Sequence, residues 1–141
     1  MKANEGRLQT AEHIFAKILK ERFGVRVVIA DFKEESGRLE VNCAEDLRNI
    51  DLKEFERDVN EVIEKDLVVI KKVISRGEAV DFDLSRILSD VDNIRIVEII
   101  GFDARPCRDP HVDNTSEIGQ FKILNCERKG RDRYKFEFIV K

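Results

Sequence analysis

The sequence predicts an α+β fold: a single two-layer domain over residues 1–141, with a mostly antiparallel sheet packed with helices. Three observations carry this expectation. Residues 7–22 and the run after Asp51 repeat apolar residues at helical spacing. Two cleanly alternating stretches, 121–126 and 134–140, flank Lys129-Gly130-Arg131 as a hairpin. The elements follow the order α-β-β-α-β-α-β-β-β, in which strands succeed strands.

In the first helix, Leu8, Ala11, Ile14, Phe15, Ile18 and Leu19 mark the apolar side, and Gly24 stops it. Residues 25–32 and 39–43 read as paired strands joined by the polar turn 34–37. Asp51 with Glu54 makes a capping-box-like start for a second helix carrying Leu52, Phe55, Val59, Val62 and Ile63 on one face. Residues 67–74 are β-rich. A short helix follows, with Leu84, Ile87, Leu88 and Val91 in phase. Residues 94–102 form a nearly continuous apolar strand that leads into a loop containing Pro106 and Pro110, the two prolines of the chain.

A charged fraction of 39% beside a hydrophobic fraction of 42% describes a globular chain able to bury a core without disulfides. The net charge of −3 argues against a protein that coats nucleic acid non-specifically. No apolar run is long enough to cross a bilayer, and the N-terminal stretch Met1–Arg7 lacks the apolar core of a signal peptide, so a cytoplasmic location is expected. Of three cysteines, Cys43 and Cys126 sit in apolar strand-like runs, whereas Cys107 has Arg, Asp and Pro as neighbours.

Cys107 and His111 lie four positions apart in the proline-stiffened loop, a spacing at which a thiol and an imidazole can grip one divalent metal. Gln9 and His13, at i and i+4, share a side of the first helix that lies about opposite its apolar stripe. Taken alone, position 13 reads as an exposed surface histidine. Together, the pairs give a Zn2+ site of His13, Cys107 and His111, with Gln9 or water in fourth place. Three strong ligands with an open position is the catalytic pattern for zinc. Around the hairpin turn, Arg128, Lys129, Arg131 and Arg133 form the most basic stretch, either a nucleic-acid contact or a solvated tip.

The segments Leu8-Gln9-Thr10-Ala11-Glu12-His13-Ile14 and Cys107-Arg108-Asp109-Pro110-His111-Val112-Asp113-Asn114-Thr115-Ser116-Glu117-Ile118-Gly119 resemble the two signatures of the editing domain shared by alanyl- and threonyl-tRNA synthetases, and most of all a short free-standing editing protein of the AlaX type. The usual forms are H-T/S-A-x-H on a helix and C-x-x-x-H-V-x-x-T-G-E-I-G in a loop entering a strand. Gln9 stands where the family has its first metal-ligand histidine, and Ser116 replaces a glycine. The Cys-Arg-x-Pro-His wording leans toward the threonyl version, whose related domain can edit without zinc.

The resemblance implies a hydrolase that removes a wrong amino acid from the 3′ end of tRNA. Seryl-tRNA(Ala) is the leading substrate, with glycyl-tRNA(Ala) and seryl-tRNA(Thr) as further ones. It implies catalytic roles for Gln9, His13 and His111, a zinc held by His13, Cys107 and His111, and substrate contacts from Arg105, Arg108 and Asp109. Mischarged tRNA is the implied partner, met by Arg128, Lys129, Arg131 and Arg133. Asp109 and Asp113 are candidate hydrogen-bond partners for the histidines. A non-catalytic tRNA- or zinc-binding module of the same fold is the alternative.

Overall fold

The apolar spacing of Leu8, Ala11, Phe15, Ile18 and Leu19 builds helix α1 (Glu5–Phe23) in the computed structural model, which describes residues 4–141. Met1 to Ala3, the start of the N-terminal stretch discussed above, lie outside the described residues. Gly24 ends α1 in the left-handed conformation (φ +62°), its N–H returning to the carbonyl of Lys20. Strands β1 (Arg26–Phe32) and β2 (Ser36–Asn42) follow. Helix α2 (Leu52–Glu64) starts at Asp51, whose carboxylate accepts the N–H groups of Lys53 and Glu54. Then come β3 (Val69–Ser75), β4 (Asn93–Ile99), β5 (Asp103–Pro106), β6 (Phe121–Gly130) and β7 (Arg133–Val140).

All strand pairs are antiparallel. They form a four-stranded sheet in the order β1-β2-β7-β6 and a three-stranded sheet in the order β3-β4-β5. The α+β expectation therefore holds. α1 packs on β1, β2 and β7, and α2 on β6. The core between helices and sheet centres on Phe15, whose ring lies 5.1 Å from Phe136 and 5.3 Å from Phe121, the three being almost fully buried. Along β7 every second residue is buried, as a half-covered strand requires. No helix among the described residues is long and apolar enough to cross a membrane.

Two segments differ from expectation. Residues 84–91 form no helix; successive turns connect β3 to β4. Residues 84–87 and 88–91 close as two separate turns, with the Ile87 N–H donating to the Leu84 carbonyl and the Val91 N–H to the Leu88 carbonyl, and the Arg76 guanidinium donates to the carbonyls of Leu88 and Val91. The apolar residues remain useful, since Phe82, Leu84, Ile87 and Val91 pack with Ala79, Ile94 and Ile96 in a small second core. The run 94–102 also divides. β4 ends at Ile99, Gly101 turns with φ +77°, and β5 returns alongside β4. Pro106, lacking a donor, lies on β5 at the sheet edge.

After the 3₁₀ turn Thr115–Ile118, Gly119 has φ +83°, and a Cβ there would lie 2.2 Å from the carbonyl oxygen of Lys141. Neighbouring Gln120 exchanges backbone hydrogen bonds with Lys141, so this contact joins the signature segment to the end of β7. Gly119→Ala is expected to lower unfolding stability by about 1–3 kcal/mol through backbone strain alone. Urea unfolding measures it, and an unchanged midpoint would refute the stated constraint.

Candidate metal centre

From Leu8 to Ala16 every residue of α1 is buried, although the sequence marks only one apolar side. The four-stranded sheet covers that side. The opposite side lies beneath β5 and the Cys107–Val112 loop. His13 is consequently 1% exposed and Gln9 6% exposed, which corrects the surface-histidine expectation for position 13.

Long polar side chains hold the covering loop from several directions. Arg95 on β4 donates to the carbonyls of Cys107 (3.2 Å) and Asp109 (2.8 Å), while its own carbonyl accepts the N–H of Cys107. Lys71 on β3 donates to the carbonyl of Val112 and the carboxylate of Asp113. Glu117 accepts the N–H groups of Asp113 and Asn114. The hydroxyl of Thr115 accepts the N–H of Leu67 and donates to the last carbonyls of α2.

The hydroxyl of Thr10 attaches the loop to α1. It lies 2.9 Å from the carbonyl of Gly6, 2.9 Å from Nδ1 of His111 and 3.2 Å from the N–H of Val112. A hydroxyl has one proton and two acceptor lone pairs. Donation to Gly6 leaves it to accept from Val112 and from His111, which assigns the imidazole proton to Nδ1. The lone pair of His111 Nε2 then faces Sγ of Cys107, 3.4 Å away. His13 stands edge-on to His111, ring centroids 4.3 Å apart. One ligand atom from each of His13, Cys107 and His111 falls within 4.8 Å of the other two.

Neither ring nitrogen of His13 has a hydrogen-bond partner among the described residues. Leaving a buried polar atom unpaired costs about 1–3 kcal/mol. Burial, then the charge of Arg105, holds the pKa of His13 well below its usual value; burial first and Arg105 second hold His111 down to about 3. Burial raises the Cys107 thiol. At neutral pH the cluster is two neutral imidazoles and a thiol, all facing one another. This donor set fits zinc. Ordinary Zn–N and Zn–S lengths in a tetrahedron place N and S about 3.6 Å apart, close to the 3.4 Å found.

Glu12, 2% exposed, pairs with Arg105 beside the cluster; burial raises its pKa, and Arg105 opposes that shift. Arg105 thus already has a carboxylate partner, whereas Arg108 is exposed at the loop surface. Asp109 accepts from the Cys107 thiol at 3.7 Å, and Asp113 pairs with Lys71. Neither aspartate bonds a histidine among the described residues, so Thr10 takes the part expected of them. Gln9 makes no side-chain hydrogen bond among the described residues and faces a cleft of about 1080 Å³.

The basic hairpin lies elsewhere. Cys43 bonds the carbonyl of Asp132 in the hairpin turn and the carbonyl of Phe23 at the end of α1. That end is ten residues, about 15 Å, from His13. Arg133 pairs there with Glu40 and Lys129 with Glu127, while Arg128 bonds the carbonyl of Gly130. Arg131 has no ion pair among the described residues.

Thr10→Val keeps the shape but leaves His111 Nδ1 without its acceptor. Metal affinity should fall about 10–100-fold with the fold retained, as measured by competition with a chromophoric chelator. The protonated thiol supplies a second expectation. Zinc binding near pH 7 should release about one proton, from Cys107, with affinity rising about tenfold per pH unit across the neutral range. Calorimetry in buffers of different ionisation enthalpy measures this; release of two or more protons would contradict the neutral imidazoles.

The profile of the family described as "Threonyl and Alanyl tRNA synthetase second additional domain" matches residues 94–133. The chain is 33% identical over 141 residues to the alanyl-tRNA editing protein AlaX-M of Saccharolobus solfataricus, covering 96% of this chain and 58% of that protein. It is 30% identical over 133 residues to AlaX-L of Pyrococcus horikoshii, covering 93% of this chain and 32% of that one. Against the alanine–tRNA ligase of Methanococcus vannielii, identity is 35% over 128 residues, 86% of this chain and 14% of the ligase. The chain therefore spans 58% or less of each of these relatives. With both signatures meeting in one cluster of an α+β fold, the chain carries a match to the domain of threonyl- and alanyl-tRNA synthetases and is similar over most of its length to alanyl-tRNA editing proteins of the AlaX type.

Proposed function

We propose that the protein is a hydrolase of mischarged tRNA acting in the cytoplasm, with seryl-tRNA(Ala) its main substrate. The observation that carries this is His13. It is a buried imidazole with two unpartnered nitrogens, set against His111 and against Cys107, which lines an open cleft. A merely structural histidine would be hydrogen-bonded.

His13, Cys107 and His111 would hold Zn2+, which would supply a positive charge able to orient the ester or lower the pKa of water. The ester is already activated, so this chain's residues chiefly have to position it. Thr10 holds the His111 ring, and Arg95 holds the backbone on either side of Arg108. Gln9, at the cleft surface, offers its amide oxygen to the substrate ammonium or to the attacking water. Water adds to the carbonyl carbon, the bond to the ribose oxygen breaks, and that oxygen takes up a proton. The products are free amino acid and tRNA. Arg105, fixed by Glu12, shapes the entrance, and Arg108 with Asp109 meets the terminal ribose or phosphate. Arg128, Lys129, Arg131 and Arg133 meet the tRNA body at the far end of α1. Against a closed structural zinc site stands Gln9, since a neutral amide is a poor fourth ligand.

Incubation with seryl-tRNA(Ala) and seryl-tRNA(Thr), with zinc supplied, tests this. Ester loss should exceed the buffer rate by orders of magnitude, faster on the first. His111→Ala should abolish turnover and keep the unfolding midpoint within a few degrees. No acceleration on either tRNA would leave the non-catalytic binding module in place of the enzyme.

A further inference from the structure

The ion pair of Glu12 and Arg105 stands at the cluster without being part of it. Glu12 precedes His13 on α1, and Arg105 lies two residues before Cys107 on β5, so the pair joins the two segments that carry the cluster. After burial, the charge of Arg105 is the largest influence on both imidazoles, which marks its nearness to them. Both residues line the cleft, yet their exposure differs. The Arg105 side chain is 24% exposed and that of Glu12 only 2%, so the guanidinium can meet a ligand and the carboxylate cannot. Burying an ion pair is often less favourable than packing an apolar side chain of similar size, and position 12 lies within the unbroken buried run of α1. The pair therefore calls for a role other than packing. What it does is cancel a positive charge beside the cluster. The cleft as a whole is treated alike: seven cationic and six acidic side chains line it, and Lys17 is held by Asp103 and Glu21.

Hydrolysis changes the charge of the acyl group. Before it, the carboxyl is a neutral ester. The oxygen of water bonds to the carbonyl carbon and the bond to the ribose oxygen breaks. One proton of the water ends on that ribose oxygen, the other passes to solvent, and the amino acid is left as a carboxylate. A guanidinium without a partner would grip this carboxylate through two parallel charge-assisted hydrogen bonds, and would capture free amino acids equally well. We propose that Glu12 occupies Arg105 so that the site accepts an aminoacyl ester and releases a free amino-acid carboxylate. Glu12 touches no substrate. It acts through Arg105, as a built-in stand-in for the carboxylate of the product. The proposal rests on the hydrolase reading for what the product is, but the discrimination itself can be measured by binding alone.

The test uses the full chain and Glu12→Gln, which keeps the shape of the side chain and removes its charge. Calorimetric titration compares serine with serinamide, whose neutral carboxamide stands in for the ester, first with zinc supplied and then with a chelator. Inhibition of seryl-tRNA(Ala) hydrolysis by free serine is measured alongside. Glu12→Gln should bind serine about tenfold or more tightly than the parent, with and without metal, and should bind serinamide no better. Serine should inhibit the variant more strongly by the same factor while KM for the tRNA stays unchanged. Adding Arg105→Gln to Glu12→Gln should abolish the gain. The unfolding midpoint checks the fold of each variant, and Glu12→Met, an apolar side chain of similar length, should show the same gain should Glu12→Gln fold poorly. Equal serine binding by parent and folded variant would overturn the proposal. So would a gain shared by serinamide, or one that survives the loss of Arg105. A parent that cleaves no ester, beside a variant that gains serine binding through Arg105, would keep the discrimination and remove the hydrolase.

Discussion

The contact on which the site depends is one hydroxyl. Thr10 projects from α1 into a loop a hundred residues downstream and satisfies three groups there and on its own helix. Its single proton is used within the helix, so the loop must present donors to it, and the His111 Nδ1 proton is one of them. The choice of tautomer, the direction of the Nε2 lone pair and the height of the loop above α1 all follow from that arrangement. An imidazole turned over would direct N–H toward Cys107 and spoil the donor set. Because Thr10 and His13 are three residues apart, the side of the helix that anchors the loop also delivers the other imidazole.

That joint needs a counterpart, and the three-stranded sheet provides it. Arg95 and Lys71 reach from β4 and β3 to backbone carbonyls of the loop, so the segment from Cys107 to Asp113 is stretched between a helix on one sheet and strands of another. The two prolines reduce the freedom lost in holding it there. The familiar signature separates along this line. Its Cys and His enter the cluster with His13, while Thr115, Glu117 and Gly119 are framework: one caps α2, one closes the turn, and one lets the chain pass the carbonyl of Lys141. Ser116, where the usual form of the signature has glycine, is exposed and donates to Asp66 just beyond α2, so its Cβ disturbs nothing.

Much of this was legible in the sequence, and the remainder was hidden for definable reasons. The hairpin and both helices could be read because period and turn residues are local properties, whereas the meeting of His13 with Cys107 and His111 was read from the pairing of the chain's two histidines with possible ligands and from the likeness to two family signatures. The burial of His13 could not. Helical periodicity marks the side that meets the main sheet and carries no record of a second sheet settling on the other. Glu12 was the available hint, an acid within an unbroken run of buried helix, explained by Arg105 arriving from β5. Arg95 and Lys71 act on carbonyl groups, which have no sequence signature. Residues 84–91 failed as a helix because the chain closes two separate turns there, 84–87 and 88–91, and apolar phase does not distinguish successive turns from one helix.

The energetics of the cluster point in one direction. Folding places two neutral imidazoles and a thiol together, with both nitrogens of His13 unpaired, a net cost of about 1–3 kcal/mol for each unsatisfied atom. Filling those positions with hydrogen-bonding side chains would be simple chemistry, and Gln9, one turn away, is the obvious donor. It makes no such bond and faces the cleft instead. A core that retains unsatisfied lone pairs while an amide stands by is arranged for a ligand that only lone pairs can hold. A divalent cation would be such a ligand, and the same amide stands outside the set of three.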